Sequence, residues 1–212
     1  MGIKAIVFDI GGVLEINPAM DFGSRWEAKL GLPAGATGSR LADVWAAGAI
    51  GTMTEALVLQ AIGERLGLTV GQVDAMMADM WAEYLGVANT ELIEYARALR
   101  PRFRTGIVSN SFVGAREREQ AAYGFEDLVD EIVYSHEVGM SKPDPRIYQL
   151  ICTRLAVQPD EVIFLDDNEP MVAGARDVGM HGVRYRNPAQ AIAAIEAALP
   201  VGAVDRGDHR PQ

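Results

Sequence analysis

A chain of 212 residues with 49% hydrophobic and 23% charged residues has the make-up of an ordinary globular protein, long enough for one core or a core with an insertion. Its formal net charge of −10 argues against the basic face that duplex nucleic acid demands and disfavours an anionic membrane surface. A small anionic substrate remains open, because a metal ion and one lysine reverse the sign locally.

The first predicted element is a strand, IKAIVF over 3–8, which closes on Asp9 in the stretch FDIGGVL. No charged-then-apolar leader precedes it, and Ile6 stands where a myristoylation signal needs Ser or Thr. No apolar run approaches membrane-spanning length, so the expected location is cytoplasmic. Residues 17–88 then carry helical patterns alone, a stretch too long for a connecting loop. Within it, TMTEALVLQAIGERLG offers Thr52 or Thr54 as an N-cap. TVGQVDAMMADMWAEYLG sets Val73, Met76, Met77, Met80, Trp81, Tyr84 and Leu85 on one face. An inserted helical cap over the sheet edge is expected, with the Met/Trp stripe as its own core.

Four more strands follow: RTGIVS (104–109), EIVYS (131–135), VIFLD (162–166) and HGVRYR (181–186). Most are continuous apolar runs, as suits strands buried on both faces of a parallel sheet. EREQAAY, DPRIYQLICTRLAV and EPMVAGARDVG separate them as helices. Asn168 is placed as the N-cap of the last, Pro170 in its first turn, and Gly174 and Gly179 as packing and stop positions. The lone cysteine, Cys152, excludes an internal disulfide and reads as packing. The alternation predicts an α/β fold: a doubly wound parallel-sheet, Rossmann-like core from 1–16 and 89–200, with an inserted α-helical cap at 17–88. The polar tail 201–212 is expected to be disordered.

Ligands of open α/β sheets bind outside the carboxyl ends of the strands. Those ends carry Asp9, Ser109-Asn110 and Asp166-Asp167, and GMSKP adds Lys142. A carboxylate can attack phosphorus, and Mg²⁺ takes hard oxygen ligands. A hydroxyl and backbone N–H groups can hold phosphate oxygens, and a lysine can hold both nucleophile and phosphate.

With these residues in place, the chain resembles the haloacid dehalogenase superfamily, in the branch with a helical cap after the first strand. FDIGGVL, IVSNS, GMSKPDPRIY and FLDDN match its four motifs in order, over about 3–198. It is most similar to the α-D-glucose-1-phosphate-type phosphatases and the phosphatase domain of soluble epoxide hydrolases. The resemblance implies Asp9 as nucleophile and Mg²⁺ ligand, Gly11 as a backbone-carbonyl ligand, and Asp167 as a direct ligand supported by Asp166. It implies Ser109 and Asn110 as phosphate contacts, Lys142 as the motif lysine, and a small phosphorylated metabolite as the partner. Cap residues 17–88 would choose the leaving group, although no motif there names it.

One departure stands out. Phosphatases of this superfamily usually carry a second Asp two residues after the nucleophile, and here that position is Gly11. General acid–base help is worth about 10²–10⁴ in rate. Three explanations compete. The substrate has a good leaving group, such as an anomeric sugar phosphate or an acyl phosphate; the glucose-1-phosphate-type subgroup carries the same replacement. Alternatively, another residue or water supplies the proton, with Glu15, His136 and cap residues such as Glu55 as candidates. Or the chain is not a phosphatase but a dehalogenase, a phosphonate hydrolase using Lys29, or a phosphate-binding or protein-binding pseudoenzyme. Halide displacement needs no Mg²⁺ and would leave Asp166-Asp167 without a purpose. Arg25, Arg40 and Trp45 are candidates to line the site, with a solvated or packing role preferred for each. The favoured expectation is a Mg²⁺-dependent phosphatase acting on a small phosphate monoester, with a sugar phosphate preferred.

Overall fold

A computed structural model describes residues 2–199, so the expectation for the 201–212 tail lies outside the described residues. The chain runs β1 (Ala5–Phe8), β2 (Glu15–Ile16), α1 (Phe22–Leu30), α2 (Ala36–Ala49), α3 (Glu55–Leu66), α4 (Val70–Leu85), β3 (Val87–Ala88) and α5 (Thr90–Leu99). It continues through β4 (Arg104–Ser109), α6 (Ala115–Tyr123), α7 (Phe125–Leu128), β5 (Glu131–Tyr134), α8 (Ser135–Val138) and α9 (Pro145–Leu155). A 3₁₀ turn (Pro159–Glu161), β6 (Val162–Asp166), α10 (Glu169–Asp177), β7 (His181–Arg184) and α11 (Pro188–Ala198) complete it.

Five strands form one sheet in the order β5-β4-β1-β6-β7, every neighbouring pair parallel. β1, which delivers Asp9, lies at its centre. Alternation along the strands feeds two cores. Ile6, Phe8, Ile107, Ile163 and Leu165 face α5, α7 and α11, while Ala5, Val7, Val108, Val162 and Phe164 face α9 and α10. Every β1 and β6 residue is buried, which is why those runs are continuously apolar. Cys152 packs in the second core, and burial pushes its thiol up to about 11, in line with a packing role.

The helical stretch α1–α4 forms a cap inserted between β2 and β3, and those two-residue strands pair antiparallel with each other. This short ribbon was not expected; two residues are too few for a periodic signal, and the pairing brings both ends of the cap together. The Met/Trp stripe of α4 does build a core with Trp26, Leu41, Val44, Val58 and Ile62, but Phe112, Val113 and Ala115 from beyond β4 join it. The stripe is therefore the seam between cap and sheet as well as the cap's interior. Thr54 caps α3 through Leu57 N–H, and Thr69 with Gln72 forms a capping box on α4. Asn168 occupies the N-cap position of α10 but its side chain makes no capping bond; its backbone N–H instead donates to Asp166 Oδ1 at 2.8 Å. The last strand ends at Arg184 rather than at 186, and Ser135 already opens a helix. No helix among the described residues is long and apolar enough to cross a membrane.

Candidate active site

β1, β4 and β6 end side by side, and the chain uses those ends to gather its charges. Asp9 N–H donates to Leu165 O at 2.9 Å, continuing the β1–β6 ladder one residue past the strand. Asp9 Oδ1 accepts from Ile10 N–H at 2.8 Å, which turns the carboxyl over the strand end. Lys142 arrives from the loop before α9, with Nζ 2.7 Å from Asp9 Oδ1 and 2.6 Å from Asp166 Oδ2. Its side chain is 1% exposed and that of Asp166 0%, so this ion pair is desolvated and strong in geometry. Asn110 fixes the lysine's backbone at both ends: Lys142 N–H donates to Oδ1 at 2.7 Å, and Nδ2 donates to Lys142 O at 3.0 Å.

Asp9, Asp166 and Asp167 each offer a carboxylate oxygen within 4.8 Å of the others, a set able to hold a metal ion. Both oxygens of Asp166 are already engaged, one by Asn168 N–H and one by Lys142. Burial raises Asp9 to about 7; Lys142 opposes that rise and Asp166 adds to it. Asp167 is raised as well, by burial and then by Asp166. Acids held this far up next to one lysine are short of positive charge, which is the electrostatic fit for a hard divalent cation.

The two glycines after the nucleophile differ. Gly12 has φ +74°, and a Cβ there would stand 2.5 Å from Asp167 Oδ2. Only a glycine satisfies both the turn and the close approach of that acid. A Cβ on Gly11 would meet nothing nearer than Asn17 Oδ1 at 3.4 Å. Space for a side chain therefore exists where a second acid would be expected.

Behind the strand ends lies a cavity of about 170 Å³ bounded by Gly11, Ser109, Asn110, Glu15, Glu119 and Tyr84, among others. A second, of about 340 Å³, shares Met20, Tyr84 and Asn110 with it and has Phe22, Trp45 and Phe112 in its wall. Trp45 thus borders the site, contrary to a purely packing or solvated role, because α2 tilts its ring between Phe22 and Phe112. A larger cavity, about 450 Å³, opens between α3 and α4 and touches none of the strand-end residues.

The other candidates separate clearly. Glu15 lines the smaller cavity. Glu55 is bound to Arg118 at 2.7 Å, and His136 Nδ1 is 2.6 Å from Ser111 Oγ with burial lowering its basicity. Neither borders the two cavities at the strand ends. Arg25 is tied to Asp21 and Glu83, Arg40 is exposed, and Lys29 lies over the Trp26 ring at 3.9 Å. Glu119 and Asn17 escaped the sequence reading, and Tyr84 entered it only as part of the apolar face of the cap. Glu119 sits in AREREQ, which looks like a solvated charge run, yet it is fully buried against Tyr134. Asn17 Oδ1 accepts from Gly12 N–H at 2.9 Å, and its amide donates to Tyr84 O, linking nucleophile loop to cap.

The order of these residues along the chain can now be set against known proteins. The sequence matches the haloacid dehalogenase-like hydrolase family over residues 3–179. This chain belongs to that family. Bifunctional epoxide hydrolase 2 of Sus scrofa is 26% identical over 219 residues, covering 95% of this chain and 40% of that protein. A phosphatase of Mycobacterium tuberculosis is 40% identical over 85 residues, covering 39% of each. The chain thus spans about two fifths of the length of these relatives at most. A haloacid dehalogenase-family enzyme from Bacteroides thetaiotaomicron, solved with magnesium and inorganic phosphate, superposes with a TM-score of 0.74 at 22% identity, covering 88% of this chain and 96% of that one. The shared fold is an α/β sheet with a helical cap, and the chain is a hydrolase of this family.

Proposed function

We propose that the protein is a cytoplasmic, Mg²⁺-dependent phosphatase that hydrolyses a small phosphate monoester, a sugar phosphate by preference, through a phosphoaspartate on Asp9. The observation that carries this reading is the strand-end cluster: Asp9 bound to Lys142 at 2.7 Å within a group of three carboxylates spaced for a metal ion. The phosphatase among the relatives and the magnesium and phosphate in the Bacteroides enzyme support it.

In this reading Asp9, Asp167 and the carbonyl of Gly11 hold Mg²⁺, with Asp166 behind them. Bound there, the ion offsets the repulsion between the phosphate dianion and the acids. Lys142 keeps one Asp9 oxygen in place and adds positive charge beside the incoming phosphate. Ser109 and Asn110 hold phosphate oxygens. The free Asp9 oxygen attacks phosphorus in line; the new Asp9–phosphorus bond forms as the bond to the leaving oxygen breaks, and the leaving group takes its proton from solvent. Water then attacks the phosphorus, releasing inorganic phosphate and restoring the carboxylate. With no side chain at Gly11 to protonate the leaving oxygen, the reaction favours substrates whose leaving group departs easily. The cap excludes bulk water and selects the leaving group; we take 17–88 as its extent and 1–16 with 89–200 as the core.

Dehalogenation would also start from Asp9, but it needs no Mg²⁺ and so gives the Asp166–Asp167 pair no task. The test is phosphate release from a panel of phosphomonoesters, including hexose 1- and 6-phosphates, with Mg²⁺, with EDTA and with Asp9→Asn. Metal-dependent release abolished by the substitution supports the reading. Halide release from 2-haloacids that EDTA does not touch would replace it. Binding of phosphate esters without turnover would mark a pseudoenzyme.

A further inference from the structure

The smaller cavity is lined by Gly11, Ser109 and Asn110, which follow the ends of β1 and β4, and also by Glu15, Glu119 and Tyr84. Glu15 and Glu119 are 1% and 0% exposed. Asn17 approaches Glu15, while Tyr134 donates to Glu119 Oε2 and Tyr84 stands close by. Even so, Glu15 Oε1 and Glu119 Oε1 are buried with no hydrogen-bond partner. Buried acceptors in native folds are nearly always partnered, so a fold rarely keeps two orphans in one place without a use. Glu83, the third acid at this cavity, shows the contrast: Arg25 and the N–H groups of Asp21 (2.8 Å) and Phe22 (3.0 Å) occupy it fully. No lysine, arginine or histidine among the described residues lines the cavity.

The adjoining cavity supplies a complementary surface. Phe22, Trp45, Phe112, Met20 and Met80 make it apolar, and it shares Met20, Tyr84 and Asn110 with the first. An occupant that reaches from the phosphate position into both spaces needs hydrogen-bond donors on one edge and an apolar face on the other. A hydroxylated ring has that shape: C–H groups on its face and O–H groups around its rim. An apolar leaving group would leave both carboxyl oxygens orphaned. A small ammonium would satisfy them but leave the aromatic wall unused.

We propose that Glu15 and Glu119 form a specificity clamp for the leaving group, each free oxygen taking a hydrogen bond from a ring hydroxyl while the Phe22–Trp45–Phe112 wall packs the ring's C–H face. This inference rests on the phosphatase reading above and names the residues that choose its substrate. Sites built to hydrogen-bond a hydroxyl discriminate strongly against analogues lacking it, by up to about 10⁴–10⁵.

The test compares a hexose 1-phosphate with cyclohexyl phosphate, a ring of the same size without the hydroxyls. The wild type should prefer the hexose by about 10²-fold or more in kcat/KM. Glu119→Leu and Glu15→Leu should each lower that ratio at least about tenfold, and Glu119→Gln, which keeps an acceptor, should retain most of it. A ratio left unchanged while both rates fall together would show a structural or proton-transfer role and overturn the clamp. Calorimetry on Asp9→Asn keeps the question separate from turnover and from the folding of the leucine variants. If the wild type hydrolyses no phosphomonoester, the phosphatase reading fails, and the clamp is then judged by binding alone. Tighter binding of the hexose 1-phosphate than of cyclohexyl phosphate, by about tenfold or more, upholds it. Equal binding, or a preference for 2-aminoethyl phosphate, overturns it.

Discussion

The two ends of the active site are built on opposite principles. At the strand ends the charges are paired: Lys142 bridges Asp9 and Asp166, Asn110 grips the lysine's backbone, and Asn168 N–H holds Asp166. Toward the cap, Glu15 and Glu119 each keep an oxygen with no partner beside an aromatic wall. A pre-paired region is poised for one reaction and tolerates little change. A region with unmet hydrogen bonds is finished only by its ligand. On the function proposed above, the difference separates chemistry from choice: the sheet fixes the reaction, and the seam between sheet and cap sorts the substrates.

The sharpest way to break the comparison is at its paired end. Asp9→Asn should lower phosphate release at least about 10⁴-fold, since it removes the attacking group itself. Steady-state assays with Mg²⁺ check it. Next in size, Lys142→Met should nearly abolish turnover and also cost about 3–5 kcal/mol in urea denaturation, because it strands two buried carboxylates. Glu119→Leu should cost less stability, since it removes an acid with an unpartnered oxygen and strands neutral hydroxyls, those of Tyr134 and Tyr84, rather than buried carboxylates. Equal losses from the two substitutions would erase the distinction between the ends.

Gly11 and Gly12 sharpen the contrast within a single turn. Gly12→Ala should destabilise by about 1–3 kcal/mol and impair metal-dependent turnover, because its Cβ meets Asp167 and its φ is left-handed. Gly11→Ala should be nearly silent in stability. Gly11→Asp should raise turnover of poor leaving groups such as hexose 6-phosphates, by up to about 10²–10⁴ if the acid is oriented to donate. No gain on any substrate would mean that leaving-group protonation is not what limits this site.

The smallest effect is on pH and stability. Asp9 and Glu119 are held at about 7 and Glu15 at about 9, chiefly by burial, so in the metal-free protein they bind protons more tightly folded than unfolded. Their stabilising contribution is present below the unfolded carboxyl range and is lost as pH rises through about 7 and then about 9. Asp43 and Asp144, lowered to about 2 by Arg65 and Arg146, act in the opposite sense, but only below that window. Melting temperature without metal should therefore fall from about pH 5 to about pH 9, and Mg²⁺ should raise it more at the alkaline end. A flat profile would show that these acids are not held in the proton-rich state.

Legibility in the sequence follows the same division. Asp9 and Asp166 each close a continuous apolar run and Ser109 closes the shorter run GIV, so the strand that leads to each also marks it. Lys142 was legible from GMSKPDP, which introduces a helix whose first turn carries Pro145. The cap-side residues had no such marker. Glu119 belongs to a run of charges and is buried only because α6 turns it toward Tyr134 and Tyr84, contacts that span long stretches of chain. Trp45 was expected to pack, and it does so as the wall of a cavity. The β2–β3 ribbon was invisible because two residues carry no period. At the turn after Asp9, geometry requires glycine only at Gly12, a distinction that two adjacent glycines in a sequence do not reveal.

The most direct test of the account is capture of the covalent intermediate. The enzyme would be mixed with Mg²⁺ and a hexose 1-phosphate, quenched in acid during turnover, digested and examined by mass spectrometry. The account predicts the mass of one phosphoryl group on the peptide carrying Asp9, absent with EDTA and absent in Asp9→Asn. Phosphate release at full rate with no modified peptide, or the phosphoryl group on any other residue, would contradict it.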